Sequence, residues 1–477
     1  MSSRTGSQAV AIGRRVGGGG SKATVTAARI VDDIADLGWP VGTVLGSETE
    51  LLERYGVSRA VFREAVRLVE HQQVATMRRG PGGGLVVSEP SLEAIIDAAV
   101  VYLHRVGARL EEVFEARLVL EEIVTDLAPE RMDEEDLARV RALVAEEESG
   151  EVVDPRAFHA LLASITHNPV LELFVEIMNR VSVLYFSDAR SVSSGTAAES
   201  HHAHARIADA VLAGDGSVAR RRMRKHLEAE VEYLRRRRST VQQLLPGTAL
   251  GGDRTNKRAE ALARTILREV SEQGYEPGHL LGSESELMER NDVSRSVLRE
   301  AVRLLELHRV AAMRRGPGGG LFVVEPDAGA VTEVVALHLE RGGLRIDDLG
   351  EVRSRLEVVL IDLAVAKLDD DGVALLESLA EREASATDEE YIAAIHDLHA
   401  EVAHLARNRA LELVLLVLIR LTRLHQAREL SAATRRRIRD NVVGSHRDIT
   451  AAIVDGDAEL ARHRMRQHLR EVTSSLR

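Results

Sequence analysis

Residues Gly46–Pro90, GSETELLERYGVSRAVFREAVRLVEHQQVATMRRGPGGGLVVSEP, return at Gly282–Pro326 as GSESELMERNDVSRSVLREAVRLLELHRVAAMRRGPGGGLFVVEP, with 32 of 45 positions identical and no gap at a shift of 236. A repeat of that length is a whole module, so the chain must fold as two related halves and can hold twice whatever one copy binds. A duplicated basic head suits a target with its own approximate two-fold repeat, and duplex DNA is the commonest such target.

A chain of 477 residues with 44% hydrophobic content has room for roughly three or four domains with ordinary packed cores. The absence of cysteine excludes a disulfide framework and cysteine-ligated zinc, so any metal must be held by histidines and carboxylates. No apolar run approaches the roughly 18–20 residues of a membrane span, and the opening MSSRTGSQAVAIGRRVGGGGSKA lacks the apolar core of a signal peptide. A cytoplasmic protein is expected. The net charge of −12 argues at first sight against nucleic acid. The charges are segregated, however: Arg59, Arg63, Arg67, Arg78 and Arg79 collect in the repeated head, whereas acids lie in runs such as Asp133–Asp136 and Glu146–Glu148.

Between the heads runs a stretch rich in Leu, Val, Ala, Glu and Arg with helical periodicity and little Gly or Pro, and a second such stretch follows the second head. The expected architecture is mainly α, with two winged helix-turn-helix domains, each carrying a small β-hairpin wing, alternating with two all-α antiparallel helical bundles. The boundaries are a disordered tail (1–21), first head (22–90), first body (91–238), linker (239–256), second head (257–326) and second body (327–477). With aromatics at only 3%, the bodies must be built from aliphatic side chains. The bodies match each other more weakly than the heads do, as in Glu115–Ala128 against Glu351–Ala364, so the halves can differ in what they sense.

Within the head, Ser47 and Glu50 form a capping box that starts a helix carrying Leu51 and Leu52 inward. YGVSR turns the chain, and Ser58 N-caps a second helix from Arg59 to about His71. Val61, Ala65 and Leu68 share one face of it, and Arg59, Arg63 and Arg67 recur every fourth residue on another. VATMRR and LVV then form two strands around GPGGG, a hairpin with arginines at its base. An arginine stripe on a lone helix is ordinarily a solvated face. On the second helix of a helix-turn-helix, beside a basic wing and in duplicate, it points to DNA. GPGGG lacks the Lys-Ser/Thr of a P-loop and leads into a strand, which argues against a nucleotide site.

The strings SE-x-EL, VSR-x-V-x-REA and RRG-x-GGG resemble the N-terminal domain of GntR-type transcriptional regulators of the FadR subfamily. The resemblance implies a DNA-contacting set of Ser58, Arg59, Arg63, Arg79 and Gly80 in the first head, and Ser294, Arg295, Ser296, Arg299, Arg315 and Gly316 in the second. Where that family usually has Pro before the Ser-Glu and often Arg after it, this chain has Gly46 and Thr49, and Gly282 and Ser285. One expected contact is therefore missing from each head.

In the bodies, His159, His204 and His226 fall in three different predicted helices, as do His399, His446 and His468. The separation of His204 from His226 equals that of His446 from His468, with Asp215 and Asp457 midway. A single helical histidine is more often packed or solvated than a ligand, but three retained together in two diverged copies suit a divalent metal such as Zn, Ni or Mn in each body. The bodies resemble the helical FCD effector domain of the FadR subfamily, in which metal-bearing members add an Asp one turn before the first His. Pro155 and Ile395 stand there, and Asp154 is expected to cap a helix instead. The same resemblance implies that Arg117 and Arg353 hold an effector carboxylate; the alternative is an ion pair with Glu121 or Glu357 four residues on. Asn168 and Asn408 look like helix C-caps.

These readings combine into a sequence-specific DNA-binding regulator, a repressor that reads a pseudo-palindromic operator with two heads from one chain and is released by a small carboxylate. Differences at Ala60/Ser296 and Phe62/Leu298 would let the heads read unlike half-sites. No membrane partner is expected, and homodimers beyond the internal pseudo-dimer are left open. The competing readings are a three-His metalloenzyme with a DNA-binding appendage and an architectural DNA binder with vestigial sites. No general base or nucleophile motif accompanies the histidines.

Overall fold

The computed structural model describes residues 22–237 and 257–476, apart from 38, 72–73, 79, 81, 89–91, 150–153, 155, 187–193, 315, 317, 327, 387–390 and 430–431. The expected tail at 1–21 and linker at 239–256 fall outside the described residues. By backbone contacts the chain divides into two compact units, one comprising Met1–Glu89, Ile361–Leu405 and Arg423–Arg477, the other Pro90–Leu360 and Ala406–Thr422. Each unit holds one head, and the unit boundary cuts through the second body instead of following the repeat.

The first head is α1 (Lys22–Asp36), β1 (Val44–Gly46), α2 (Glu48–Tyr55), α3 (Arg59–His71), β2 (Ala75–Arg78) and β3 (Gly84–Val87). Ser47 and Glu50 form the expected capping box on α2, which ends at Gly56 in the left-handed conformation. On α3 the buried face is Phe62, Ala65, Val66 and Val69. Val61 and Leu68 are only half-buried, so the apolar stripe is rotated by one residue from the expected face. That stripe packs on α1, whose Ile30 and Ile34 are fully buried.

The expected two-stranded wing is a three-stranded sheet of order β1-β3-β2, because the short strand Val44–Gly46 pairs antiparallel with β3. Three residues without alternation carry too little pattern to be read as a strand beforehand. The close pairing explains part of the glycine run. A Cβ on Gly84 would lie 2.4 Å from the Gly46 carbonyl oxygen, so this glycine serves the sheet itself.

The first body follows as α4 (Leu92–Arg105), α5 (Leu110–Arg131), α6 (Glu134–Ser149), α7 (Ala157–Ile165), α8 (Pro169–Phe186), α9 (Ser194–Leu212) and α10 (Gly216–Arg237). Here α5 is central, packing on α7, α8 and α10, while α9 packs on α6 and α10. Leu120, Leu162, Phe174 and Met223 close the core, each worth about 1.5–3 kcal/mol of transfer free energy when fully buried.

The second head repeats the first as α11 (Lys257–Glu272), β4 (Leu280–Gly282), α12 (Glu284–Asn291), α13 (Arg295–Leu307), β5 (Ala311–Arg314) and β6 (Gly320–Val323). The second body is α14 (Ala328–Arg341), α15 (Ile346–Lys367), α16 (Asp370–Ser385), α17 (Tyr391–Leu405), α18 (Arg409–Glu429), α19 (Ala432–Val454) and α20 (Ala458–Leu476). Within its own unit α16 packs on α17 and α19, and α19 on α20.

Asn168 and Asn408 are not C-caps. Their Oδ1 atoms accept from Val170 and Leu171, and from Ala410 and Leu411, so they N-cap α8 and α18. The preceding residues His167 and Arg407 take the positive φ that the C-cap reading required. The amide nitrogens then cross between copies. Asn168 donates to the Asp348 carbonyl and the Glu351 carboxylate at 3.0 and 3.2 Å; Asn408 donates to the Glu112 carbonyl and the Glu115 carboxylate at 3.1 and 2.7 Å. Each asparagine meets the residues equivalent to those its counterpart meets, the reciprocity of an isologous two-fold interface. Both asparagines are fully buried. Replacing either by Ala removes a cap and orphans a buried carbonyl, so thermal unfolding should register a loss of about 2 kcal/mol or more. A loss within about 0.5 kcal/mol, the range of ordinary surface changes, would show that the contact is not holding the copies together.

Candidate nucleic-acid interface and metal centres

In each head the second helix of the helix-turn-helix turns its arginines to solvent. Ser58 and Ser294 accept from the backbone N–H of Val61 and Val297, both at 3.4 Å, capping α3 and α13. The arginine side chains range from 63% exposed at Arg63 to 74% at Arg303, and Arg299 is also exposed. Glu48, next to the capping Ser47, accepts from Arg63 at 3.0 Å and pairs with Arg59 at 3.4 Å, and Glu284 pairs with Arg295 at 3.1 Å. Exposed pairs of this kind contribute at most about 1 kcal/mol, so they orient the guanidiniums without competing seriously with phosphate.

The wing is tied to this helix. Glu70 accepts from the Met77 N–H at 2.9 Å and Glu306 from the Met313 N–H at 3.0 Å, so wing and arginine face move as one piece. Gly80 and Gly316 are exposed at the tips with φ of +104° and +105°, where a side chain would be strained. Arg79 and Arg315 lie outside the described residues. Exposed Ala60 and Ser296 differ between the heads, and Ser296 Oγ lies 2.9 Å from Ser294 Oγ. Phe62 and Leu298 are both fully buried, so that difference belongs to the cores and cannot be read by DNA.

In the first body the three histidines converge. His159 on α7, His204 on α9 and His226 on α10 are buried, with Nε2 of His226 at 3.3 Å from that of His204 and 3.4 Å from that of His159. Two nitrogens each about 2.0–2.1 Å from one tetrahedral ion stand about 3.4 Å apart, so these separations fit a shared first-row metal. The other ring nitrogens are anchored. His159 Nδ1 meets Glu121, and His204 Nδ1 lies 2.9 Å from Glu147 Oε1, which leaves both Nε2 atoms to face the centre. Burial lowers the pKa of His204 and His226, more than the carboxylates Glu147 and Glu230 respectively raise it, so both rings stay neutral and able to ligate. Burial alone would raise Glu121, but His159 and Arg117 outweigh it and hold the carboxyl at about 2.

Arg117 donates from Nε to Glu121 at 2.9 Å and from Nη1 to Glu230 at 3.0 Å. The ion pair with the residue four positions on is therefore present, but buried and shared with His159 instead of lying on a solvated face. Glu147 and Glu230 were not anticipated as members of this cluster. Glu147 looked like part of an acidic run, yet it lies seven residues beyond buried Val140 and so on the inward stripe of α6. Asp154 is exposed and paired with Arg156, and it is not the expected N-cap: α7 has Arg156 in that place, and the Asp154 carboxylate accepts from the Arg156 N–H instead. Asp215 and Asp457 accept from Val218 and Leu460 N–H, capping α10 and α20 instead of joining the histidines.

In the second body His399, His446 and His468 are buried, and their potential ligand atoms lie within 4.8 Å of one another. His446 and His468 Nε2 are 3.2 Å apart, with the Nδ1 atoms facing Glu383 and Ser445, each at 2.9 Å. Ile395, one turn before His399, is buried in an apolar cluster with Val442, Val443 and Val472. Separately, Arg353 donates from Nε to Glu357 and from Nη1 to the Thr422 hydroxyl at 3.1 Å.

A capped scaffold helix, an arginine-bearing second helix and a wing fixed to it, each in duplicate and each followed by helices that carry a buried histidine cluster, define a winged helix-turn-helix transcriptional regulator with helical domains. The chain belongs to the gntR family of bacterial regulatory proteins, whose model matches residues 22–85 and 258–323, and carries two FCD domains, matched at 112–229 and 348–471. It is similar to the HTH-type transcriptional regulator LutR of Bacillus subtilis, 32% identical over 200 residues, covering 39% of this chain and 89% of LutR. The Uxu operon regulator of Haemophilus influenzae is 25% identical, covering 41% of this chain and 75% of the relative. A solved GntR structure from Streptococcus agalactiae is 26% identical with a TM-score of 0.38, covering 45% of this chain and 99% of that one. LutR and the Uxu operon regulator each match less than half of this chain over most of their own length, as a tandem duplication requires. Membership of this family of regulators sets aside the metalloenzyme reading. Among the described residues, no helix is long and apolar enough to cross a membrane.

Proposed function

We propose that the chain is a metabolite-responsive repressor that reads an imperfect palindrome with two heads supplied by one polypeptide. The observation that carries this reading is the reciprocal contact of Asn168 with Asp348 and of Asn408 with Glu112, by which two bodies of one chain meet as the protomers of a two-fold dimer do. Such a molecule needs no second chain to present two heads, and exposed Ala60 and Ser296 let the half-sites differ. It would act in the cytoplasm, where the chromosome is. Arg59, Arg63, Arg295 and Arg299 would enter the major groove, with Ser58, Ser294 and Ser296 beside them and Arg79, Gly80, Arg315 and Gly316 following the backbone at the wings.

Each histidine triad would hold one divalent ion, Zn, Ni or Mn. When bound, that ion supplies a Lewis-acidic position for an oxygen ligand. Arg117 and Arg353 are placed in the reading as the groups that orient an effector carboxylate. Effector binding can lower DNA affinity only by favouring a state that fits the operator poorly, and DNA must then weaken effector binding by the same factor.

In this reading the coupling would cross the copies. Arg105, at the end of α4, donates to the carbonyls of Arg309, Val310 and Val324 at 3.2, 2.9 and 2.7 Å, holding the base of the second head. Since α4 also packs on α8 of the first body, that body reaches the second head. An operator selected from random DNA should show two protected half-sites per single chain. Protection of one half-site, or a requirement for two chains, would refute the reading. With Arg105→Ala the half-site bound by the second head should weaken by about 1–3 kcal/mol while the other keeps its protection; equal weakening of both would rule out the crossed route.

A further inference from the structure

From Ala75 to Val87 and from Ala311 to Val323 the two wings differ at two positions, Thr76/Ala312 and Val86/Phe322. In the second head Arg314 on β5 stands opposite Gly320 on β6, and Phe322 lies diagonally beyond, opposite Ala312. The glycine gives the arginine stem nothing to pack on, whereas diagonal neighbours across a strand pair are within reach of long and aromatic side chains. The guanidinium accordingly lies over the Phe322 ring, 4.4 Å from its centroid, in the geometry of a cation–π contact. The first head has the same register, Arg78 opposite Gly84 and Thr76 opposite Val86, so Val86 takes the place of Phe322. Val86 is buried and offers no ring face, and Arg78 is exposed, without an ion pair or ring contact among the described residues.

We infer that Phe322 is a positioning residue that withdraws Arg314 from the DNA backbone, so that the second head meets its half-site with one phosphate contact fewer than the first, where Arg78 makes it. This rests on the reading above that each head binds DNA with its second helix and its wing. The two arginines are alike at their roots. Each follows a methionine whose N–H donates to a glutamate of the reading helix, Met77 to Glu70 at 2.9 Å and Met313 to Glu306 at 3.0 Å, so each stem leaves its sheet at the same place relative to that helix. Each also stands two residues before the tip glycine, Gly80 or Gly316. What differs is the far end of the side chain. An arginine spread over a ring keeps its charge but must leave the ring before its N–H groups can meet a phosphate, and the first wing has no such ring. Phosphate contacts carry affinity and its salt dependence, while base contacts carry sequence. The first head is therefore the anchoring head, and the second depends more on its recognition helix.

The test uses the full chain with one head silenced at a time, Arg295→Ala/Arg299→Ala to leave the first and Arg59→Ala/Arg63→Ala to leave the second, bound to the selected operator over a range of salt. The readout is the slope of log affinity against log salt, which changes by about 0.9 for each phosphate contact and which a merely less stable head does not move. In the first-head chain, Arg78→Ala and Val86→Phe should each flatten the slope by about one contact. In the second-head chain, Arg314→Ala should leave it unchanged. There Phe322→Val should steepen it by about one contact and raise affinity roughly two- to fivefold, the strength of an exposed cation–π contact. Adding Arg314→Ala to Phe322→Val should cancel that gain, which assigns it to the arginine and not to the lost ring. Phe322→Val installs the residue the first head carries at this place, and Val86→Phe makes the reverse change in the other head, so the outcome does not hang on the folding of one variant. A slope that falls as much with Arg314→Ala as with Arg78→Ala, or that ignores both Phe322→Val and Val86→Phe, overturns the inference. If silencing either head leaves operator binding as it was, the recognition-helix assignment falls and the inference with it, a result recognised before any wing variant is measured.

Discussion

Replacing Arg63 and Arg299 together by alanine is expected to leave a protein that folds normally but has lost most of its preference for its operator. Both residues are exposed on helices whose opposite faces are closed by Phe62 and Leu298, so their removal opens no cavity and breaks only surface pairs. A bidentate arginine–base contact is worth about 1–3 kcal/mol, so the double variant should lose about 2–6 kcal/mol of specific affinity if the heads act independently. Each single variant should relax base preference in one half-site only. Non-specific binding should fall less, because the remaining basic residues still meet phosphate, and the slope of affinity against salt should flatten by about one charge for each arginine that met phosphate. Competition between operator and random duplex at fixed salt measures both quantities. Unchanged discrimination in the double variant would mean that α3 and α13 are not the reading helices.

The heads were legible in the sequence because their signals are local. A capping box, a Ser N-cap, helical spacing of arginines and a glycine-tipped hairpin each act over no more than the thirteen residues of Ala75–Val87, and duplication shows each of them twice. What escaped was decided by tertiary contact. The inward face of α3 is fixed by packing on α1, which selects Phe62 and Val69 over Val61 and Leu68. The strand Val44–Gly46 exists only because β3 is there to pair with it. The histidine triads could be found because repetition supplies a second example, but the carboxylates that anchor His159 and His204, Glu121 on α5 and Glu147 on α6, lie 38 and 57 residues away in sequence. Glu147 was hidden in a charged run and Glu230 in a helix ending in arginines. The asparagine caps had a local mark that was passed over, since Pro169 at the first position of α8 makes Asn168 an N-cap; the carbonyl 180 residues away that the Asn168 amide reaches leaves no mark on the local sequence.

The expected metal content is two ions per chain, falling to one when either His204/His226 or His446/His468 are replaced by alanine and to none when both pairs are. The buried geometry gives this its weight. Three Nε2 atoms brought to within 3.3 and 3.4 Å along the chain of contacts would, without an ion, leave nitrogen lone pairs facing one another in a dry interior. A ligand that binds only the folded form at about a thousandfold excess over Kd stabilises it by about 4 kcal/mol, so chelation should lower the unfolding temperature of each body by on the order of 10 °C. The pH dependence has a definite sign. The pKa values of His204 and His226 are depressed below their ordinary 6.5, so between that value and the folded one the unfolded chain binds more protons than the folded chain. Their contribution is therefore complete above the ordinary value and is lost as pH falls through the depressed folded values. In the metal-loaded protein the same protons compete with the ion, so chelator resistance should collapse below the ordinary histidine range, not at neutrality. Metal analysis of untagged protein after dialysis against zinc, nickel or manganese decides the matter. A stoichiometry near zero, with an unfolding temperature indifferent to the ion, would reduce both triads to packed core histidines.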